Sequence, residues 1–175
     1  MKNSSSQNVL AIESSCDDTS VAVIDEWGSV LAWEQTSQVA IHNQFGGVVP
    51  EVASRFHEKS LIELCAKVLA QVDPKSIACV FATSGPGLVG PLLVGRCFAE
   101  GLARSLGVPC RGVHHLRGHV ASVFLNENND KSFLLEERQK ELLPALVLLV
   151  SGGHTQLLEV KSGLFVKLLA DTADD

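Results

Sequence analysis

No apolar run in this 175-residue chain approaches the length of a bilayer span; the longest, such as residues 145–150, falls far short. The basic start and apolar core of a secretory signal are missing too. Residues 1–9 are polar and Ser-rich, and the apolar stretch after them breaks at Glu13. A cytoplasmic protein with no membrane role is expected. There is no Cys-x-x-Cys pair. Cys16, Cys65, Cys79, Cys97 and Cys110 are odd in number and scattered, so they read as small apolar residues or free thiols, without a disulfide framework. Basic charge is also short: 14 Lys and Arg against 20 Asp and Glu give a net charge of -6, so bulk electrostatics do not grip a polyanion. An RNA substrate would need a local patch, another part of the chain or a partner. Apolar content, by contrast, is ample. With 46% hydrophobic and 19% charged residues the chain is not intrinsically disordered, and its length suits one domain or two small lobes sharing a cleft.

Short apolar runs at residues 9–13, 21–25 and 30–37, joined by tight polar turns, predict an antiparallel meander. From 48 to 72 the spacing becomes helical, with Val52, Phe56, Leu61, Leu64, Cys65, Val68 and Leu69 on the apolar side. Residues 77–82 are continuously apolar, as in a central strand covered on both faces. A Gly/Pro loop leads to a helix at 92–106, a strand at 108–113 and a helix at 114–125. That order is ribonuclease-H-like. Residues 1–125 therefore read as a complete first lobe, 126–143 as a polar connection with a helical turn near 134–140, and 144–175 as the start of a second lobe. In that second unit, strands at 146–150, 154–160 and 164–169 form another meander. Residues 146–150 are apolar at every position and should be covered on both faces, yet no following helix supplies the cover. The expectation is an amino-terminal part of a longer protein.

Four clusters carry the chemistry. Glu13-Ser14-Ser15-Cys16-Asp17-Asp18-Thr19 crowds carboxylates, hydroxyls and backbone N–H groups at a strand end; it is either a solvated Asx/Ser turn or a cradle for phosphate or a metal-bound water. Gly85-Pro86-Gly87-Leu88-Val89-Gly90 matches G-x-G-x-x-G between a strand and a helix. A nicotinamide site is excluded, because Pro86 removes an N–H and no acidic residue ends the next strand. Either the glycines let the helix pack closely on the sheet, or the loop faces a phosphate or a partner. His115 and His119, at i and i+4, share a helix face and can meet on one divalent cation, or can be two surface histidines. The zinc-protease pattern fails, since position 116 is Leu and the general-base glutamate is missing. Finally, Ser151-Gly152-Gly153 with His154, Thr155 and Gln156 makes a hairpin whose backbone can approach a ligand, or simply a good turn.

The runs IESSCDDTSVAV, GGVVPEVASRFH, SGPGLVGPLLVG, HHLRGH and LLVSGGHTQL, taken in order, resemble the amino-terminal half of the TsaD family, the tRNA N6-adenosine threonylcarbamoyltransferases once called O-sialoglycoprotein endopeptidases. The resemblance covers nearly all of residues 9–175. It implies a two-lobed actin/Hsp70/sugar-kinase architecture, here an α/β chain with the first lobe complete and the second only begun. It implies one divalent metal ion per subunit, Fe2+ or Zn2+, held by His115 and His119 together with an aspartate from the carboxy-terminal half. Leu149, Val150, Ser151, Gly152 and Gly153 would line the adenylate site, and Glu13 and Asp17 become the candidate catalytic residues. The implied reaction moves threonylcarbamoyl from threonylcarbamoyl-adenylate to N6 of adenosine 37 in tRNAs reading codons that begin with A. Implied partners are TsaB and TsaE; the helix at 92–106 is the candidate partner-facing surface, and a homodimer through the first lobe stays open. Arg117 stands where many members carry Glu, on another helix face from the two histidines. Without the far half, the chain is expected to bind substrate poorly and not to catalyse transfer alone.

Two rival readings share the fold. A non-catalytic scaffold like TsaB is not expected to carry HHxxGH and SGGHTQ. An actin-like ATPase or sugar kinase would show a D-x-G-T phosphate loop, which Glu13-Ser14-Ser15-Cys16 does not match.

Overall fold

The computed structural model describes residues 7–126, 135–150 and 155–172. Strands β1 (Asn8–Glu13), β2 (Asp18–Ile24) and β3 (Val30–Ser37) form the expected meander. β4 (Ile77–Gly85) and β5 (Cys110–His114) then join in parallel on the other side of β1, giving the order β3-β2-β1-β4-β5. Burial alternates along β1 and β2: Leu10, Ile12, Val21 and Val23 point to one face, where helices α2 (Pro50–Leu69) and α3 (Val89–Leu106) cover them. β4 is more continuously buried, as its apolar run requires.

α2 starts with Pro50 in its first turn, where the missing N–H costs nothing. It buries Ala53, His57, Leu61, Leu64, Cys65 and Val68. This stripe differs from the expected one at its start: Val52 and Phe56 are only half-buried, and Ala53 and His57 take the inner positions. Between β3 and α2 lie a short helix α1 (Val39–His42) and a single 3-10 turn, which the hydrophobic spacing did not announce. α3 begins at Val89 rather than at position 92 and ends on Gly107 in the left-handed region (φ 70°), which a glycine adopts without strain.

α4 (His115–Ser122) follows β5 without a loop. α5 (Leu135–Leu142) precedes a second, antiparallel sheet of β6 (Ala145–Val150), β7 (Thr155–Lys161) and β8 (Phe165–Asp171). Val120 of α4 packs with Leu158 and Val160 of β7, and Val147 and Leu149 of β6 lean on this cluster. The other face of β6 is open. Leu146, Leu148 and Val150 are 68%, 64% and 69% exposed, so the strand expected to be covered on both faces is covered here on one. Among the described residues, no helix is long and apolar enough to cross a membrane.

Candidate functional site

β1, β4 and β5 are parallel neighbours, so their carboxyl ends lie side by side at one edge of the sheet. Glu13 ends β1, Thr83 is near the end of β4, and His114 ends β5 and passes directly into α4. This topology brings Glu13 and His115, 102 residues apart, into contact. His115 Nδ1 lies 3.0 Å from Glu13 Oε2 and 3.3 Å from Ser15 Oγ. Glu13 also accepts hydrogen bonds from the Ser15 N–H on Oε1 and from the Thr83 hydroxyl on Oε2, each at 2.5 Å.

α4 turns Leu116 and Val120 inward, which leaves His115 and His119 together on the outward side. Their rings meet edge to face at 4.5 Å between centroids, and the two Nε2 atoms are 3.1 Å apart. The Glu13 carboxylate accepts the Nδ1 proton of His115, which leaves the Nε2 lone pair aimed at His119.

Burial pushes the Glu13 pKa up, but hydrogen bonds from His115, Ser15 and Thr83 outweigh it and bring the carboxyl down to about 2. The same bond to Glu13 raises the pKa of His115, whereas burial, then the neighbouring His115 charge, lowers that of His119. The two imidazoles are thereby pushed apart in proton affinity. At 3.1 Å the two Nε2 atoms leave room for a single proton between them.

The Nε2–Nε2 separation matches the spacing of two imidazoles on one divalent cation. Two nitrogens bound at about 2.0–2.1 Å with near-right or tetrahedral angles stand about 2.8–3.4 Å apart, and the observed separation lies in that range. Among the described residues no cluster of three or more His, Cys, Asp or Glu groups is arranged around a common centre.

Asp17, the other candidate of the loop, is half-buried and not joined to the histidines by any described contact: its carbonyl accepts the Gln38 N–H and its side chain hydrogen-bonds Cys16. Burial, followed by this neighbouring carboxylate, raises the Cys16 thiol pKa to about 11, so the exposed thiol is a poor nucleophile. Leu149 and Val150 sit on β6, Leu149 leaning on the Val120 cluster and Val150 facing out. Ser151, Gly152, Gly153 and His154 lie outside the described residues.

The glycine motif has a local explanation. A Cβ at Gly87 would stand 2.6 Å from the Ser15 carbonyl oxygen, and one at Gly95 would overlap Ser14 Oγ. The loop after β1 is thus pressed against α3, with Leu88 N–H donating to the Ser15 carbonyl and Ser14 Oγ to the Pro91 carbonyl. His57 was missed. It is fully buried beneath this loop, and its place on the apolar stripe of α2 was the available signal.

Two cavities differ in their relation to the pair. One of about 220 Å³ is lined by Ala11, Glu13, Phe81, Val113, His115 and Gly118, directly beside the ion-paired groups. Another, about 650 Å³, lies over Ala22, Leu31 and Trp33 on the face of the sheet that α2 and α3 leave open, away from the histidines.

A mixed sheet in the order 3-2-1-4-5, backed by helices and carrying a polar site at its parallel strand ends, has the α/β fold of actin/Hsp70-like proteins. The solved structure of YeaZ from Pseudomonas aeruginosa shares this fold, with a TM-score of 0.58 at 17% identity over 95% of this chain and 66% of that one. The chain belongs to the TsaD family, tRNA N6-adenosine threonylcarbamoyltransferase, whose family model matches residues 29–175. The tRNA N6-adenosine threonylcarbamoyltransferase of Thermotoga neapolitana is 46% identical over 167 residues, 95% of this chain and 48% of the relative. That of Legionella pneumophila is 44% identical over 169 residues, 95% of this chain and 47% of the relative. The chain therefore spans about half the length of these relatives.

Proposed function

We propose that this chain supplies the amino-terminal half of a metal-dependent transferase that moves threonylcarbamoyl from threonylcarbamoyl-adenylate to N6 of adenosine 37 in tRNAs reading codons that begin with A. The observation that carries the reading is the pair of Nε2 atoms 3.1 Å apart, one of them oriented by Glu13. Family membership supports the reaction class.

His115 and His119 would hold Fe2+ or Zn2+, completed by an aspartate from the half that the relatives have in addition. Such a cation would supply Lewis-acid stabilisation of charge developing on the carbamoyl or phosphate oxygens. The chain's own residues do the rest. Glu13 fixes the His115 tautomer and ring plane. The Ser15 hydroxyl caps the same ring from the loop. The donor is a mixed anhydride with a good leaving group and the acceptor is a weak amine, so orientation is the larger share of the task. Leu149, Val150 and the Ser151-Gly152-Gly153 backbone would line the adenylate. The net charge of -6 assigns most of the tRNA grip to a local patch or to partners, for which TsaB and TsaE in the cytoplasm are the candidates.

The test is substitution in the family-length protein carrying this chain. H115A and H119A should each lose bound metal by elemental analysis and lower transfer to tRNA by at least about a hundredfold. Retention of both metal and activity in either variant overturns the reading.

A further inference from the structure

The loop from Glu13 to Asp18 is held from beneath by buried side chains that the proposed reaction does not use. His57, in the middle of α2, places Nδ1 2.7 Å from Thr19 Oγ1 and Nε2 3.0 Å from the Cys16 carbonyl oxygen. Gln38 Nε2 is 3.3 Å from the same His57 Nε2. Gln38 Oε1 is 3.0 Å from His42 Nε2, and His42 Nδ1 is 3.3 Å from the Val49 N–H. His57, Gln38 and Thr19 are fully buried, and His42 is nearly so.

The protons in this chain can be assigned in order. The Val49 N–H can only donate, so His42 Nδ1 is bare and its Nε2–H donates to Gln38 Oε1. This sets the Gln38 amide with its NH2 toward His57. The Cys16 carbonyl can only accept. A bare His57 Nε2 would set a lone pair against that oxygen at 3.0 Å, whereas a protonated one makes a well-placed bond. His57 Nε2 therefore carries the proton, and bare Nδ1 accepts the Thr19 hydroxyl at 2.7 Å. The longer contact to the Gln38 NH2 brings two donors together and is not a bond. Burial lowers the His57 pKa, in keeping with a neutral ring.

We propose that His57 is a positioning residue: its Nε2–H tethers the Cys16 carbonyl and so holds Ser15 and Glu13 in register with His115. Of the other ties on this loop, Leu88 N–H to the Ser15 carbonyl and Ser14 Oγ to the Pro91 carbonyl come from the α3 side, and the Gln38 N–H to the Asp17 carbonyl comes from the end of β3. His57 is the tie from the α2 side, and it acts one residue from Ser15, whose hydroxyl is 3.3 Å from His115 Nδ1. The tether follows from the structure alone. Its effect on transfer rests on the function proposed above.

The test compares H57L with H57Q, whose side-chain amide keeps an N–H within reach of the Cys16 carbonyl, and with T19V. In the 175-residue chain, H57L should speed backbone amide exchange of residues 14–17 at least about tenfold relative to β4. H57Q should stay within about threefold of the parent, and T19V should fall between them. Unchanged loop exchange in H57L, or H57Q no better protected than H57L, overturns the tether. Should H57L fail to fold, H57Q and T19V decide in the same way. In the family-length protein H57L should lower kcat about tenfold, with metal content kept and KM for tRNA within about twofold, and H57Q should restore kcat. A normal kcat in H57L overturns the positioning role. Absence of transfer by the parent sinks the proposed function instead, and leaves the exchange comparison to judge the tether.

Discussion

Glu13 is the residue on which most of the site's electrostatics converge. With its carboxyl held down at about 2, it contributes stability that is fully present above the ordinary value of 4.5 and is lost as pH falls from there toward 2. His115 behaves oppositely. Its raised pKa gives stability that is complete below 6.5 and fades as pH climbs past the raised value. The ion pair therefore contributes most between about pH 4.5 and 6.5. E13Q keeps the shape and an acceptor oxygen while removing the charge. In urea denaturation it should be less stable than the parent by up to about 3 kcal/mol at pH 6, reduced by solvent screening of a side chain 30% exposed. The deficit should shrink steadily between pH 4.5 and 2, and a deficit that grows there would assign the interaction the wrong sign.

Elements explain the glycine motif better than any ligand does. α3 carries Gly95 against Ser14 and Gly90 against Ser54, while Gly87 meets the Ser15 backbone, so the helix and the loop after β1 share one surface. G95A should destabilise the chain by about 1–3 kcal/mol, because the new methyl overlaps Ser14 Oγ in a buried place. S14A removes the obstructing hydroxyl, so the double variant should recover part of the loss in a double-mutant cycle of urea midpoints. Simple additivity would mean the two positions do not press on each other.

Much of this element level was readable in advance. The short apolar runs between polar turns gave β1 to β3, and the helical spacing of Leu61, Leu64, Cys65 and Val68 gave α2. The start of α3 was placed late because Gly87 and Gly90 look like loop, when their task is close approach to Ser15 and Ser54. α1 has too few residues for a period to show. At the site, the i, i+4 spacing of His115 and His119 was visible and Glu13 was a candidate, but its contact with His115 was not. Glu13 reaches His115 only because β1, β4 and β5 end together, which is a property of strand order and not of neighbouring sequence. His57 was hidden for a related reason: a polar residue on an apolar stripe acquires meaning only when its buried partners are known.

Across the whole molecule, the two sheets are finished to different degrees. The first has a core running from Leu10 and Val21 through Val68, Val80 and Ala103, whereas among the described residues the second buries only Leu158 and Val160 fully enough to join Val120. The outer face of β6 presents Leu146, Leu148 and Val150 to solvent, an apolar strip of the kind that drives association. Replacing Leu146 and Leu148 by Thr keeps β propensity and removes apolar surface that contributes nothing to the fold of this chain. The double variant should therefore stay within about 0.5 kcal/mol of the parent in denaturant titration, while self-association in sedimentation velocity falls. V160A, on the opposite side of the same sheet and fully buried, should cost about 2–3 kcal/mol by the same titration. If the Leu146 and Leu148 changes proved as costly as V160A, that face would have to be packed in solution, and the one-sided second sheet described above would be wrong.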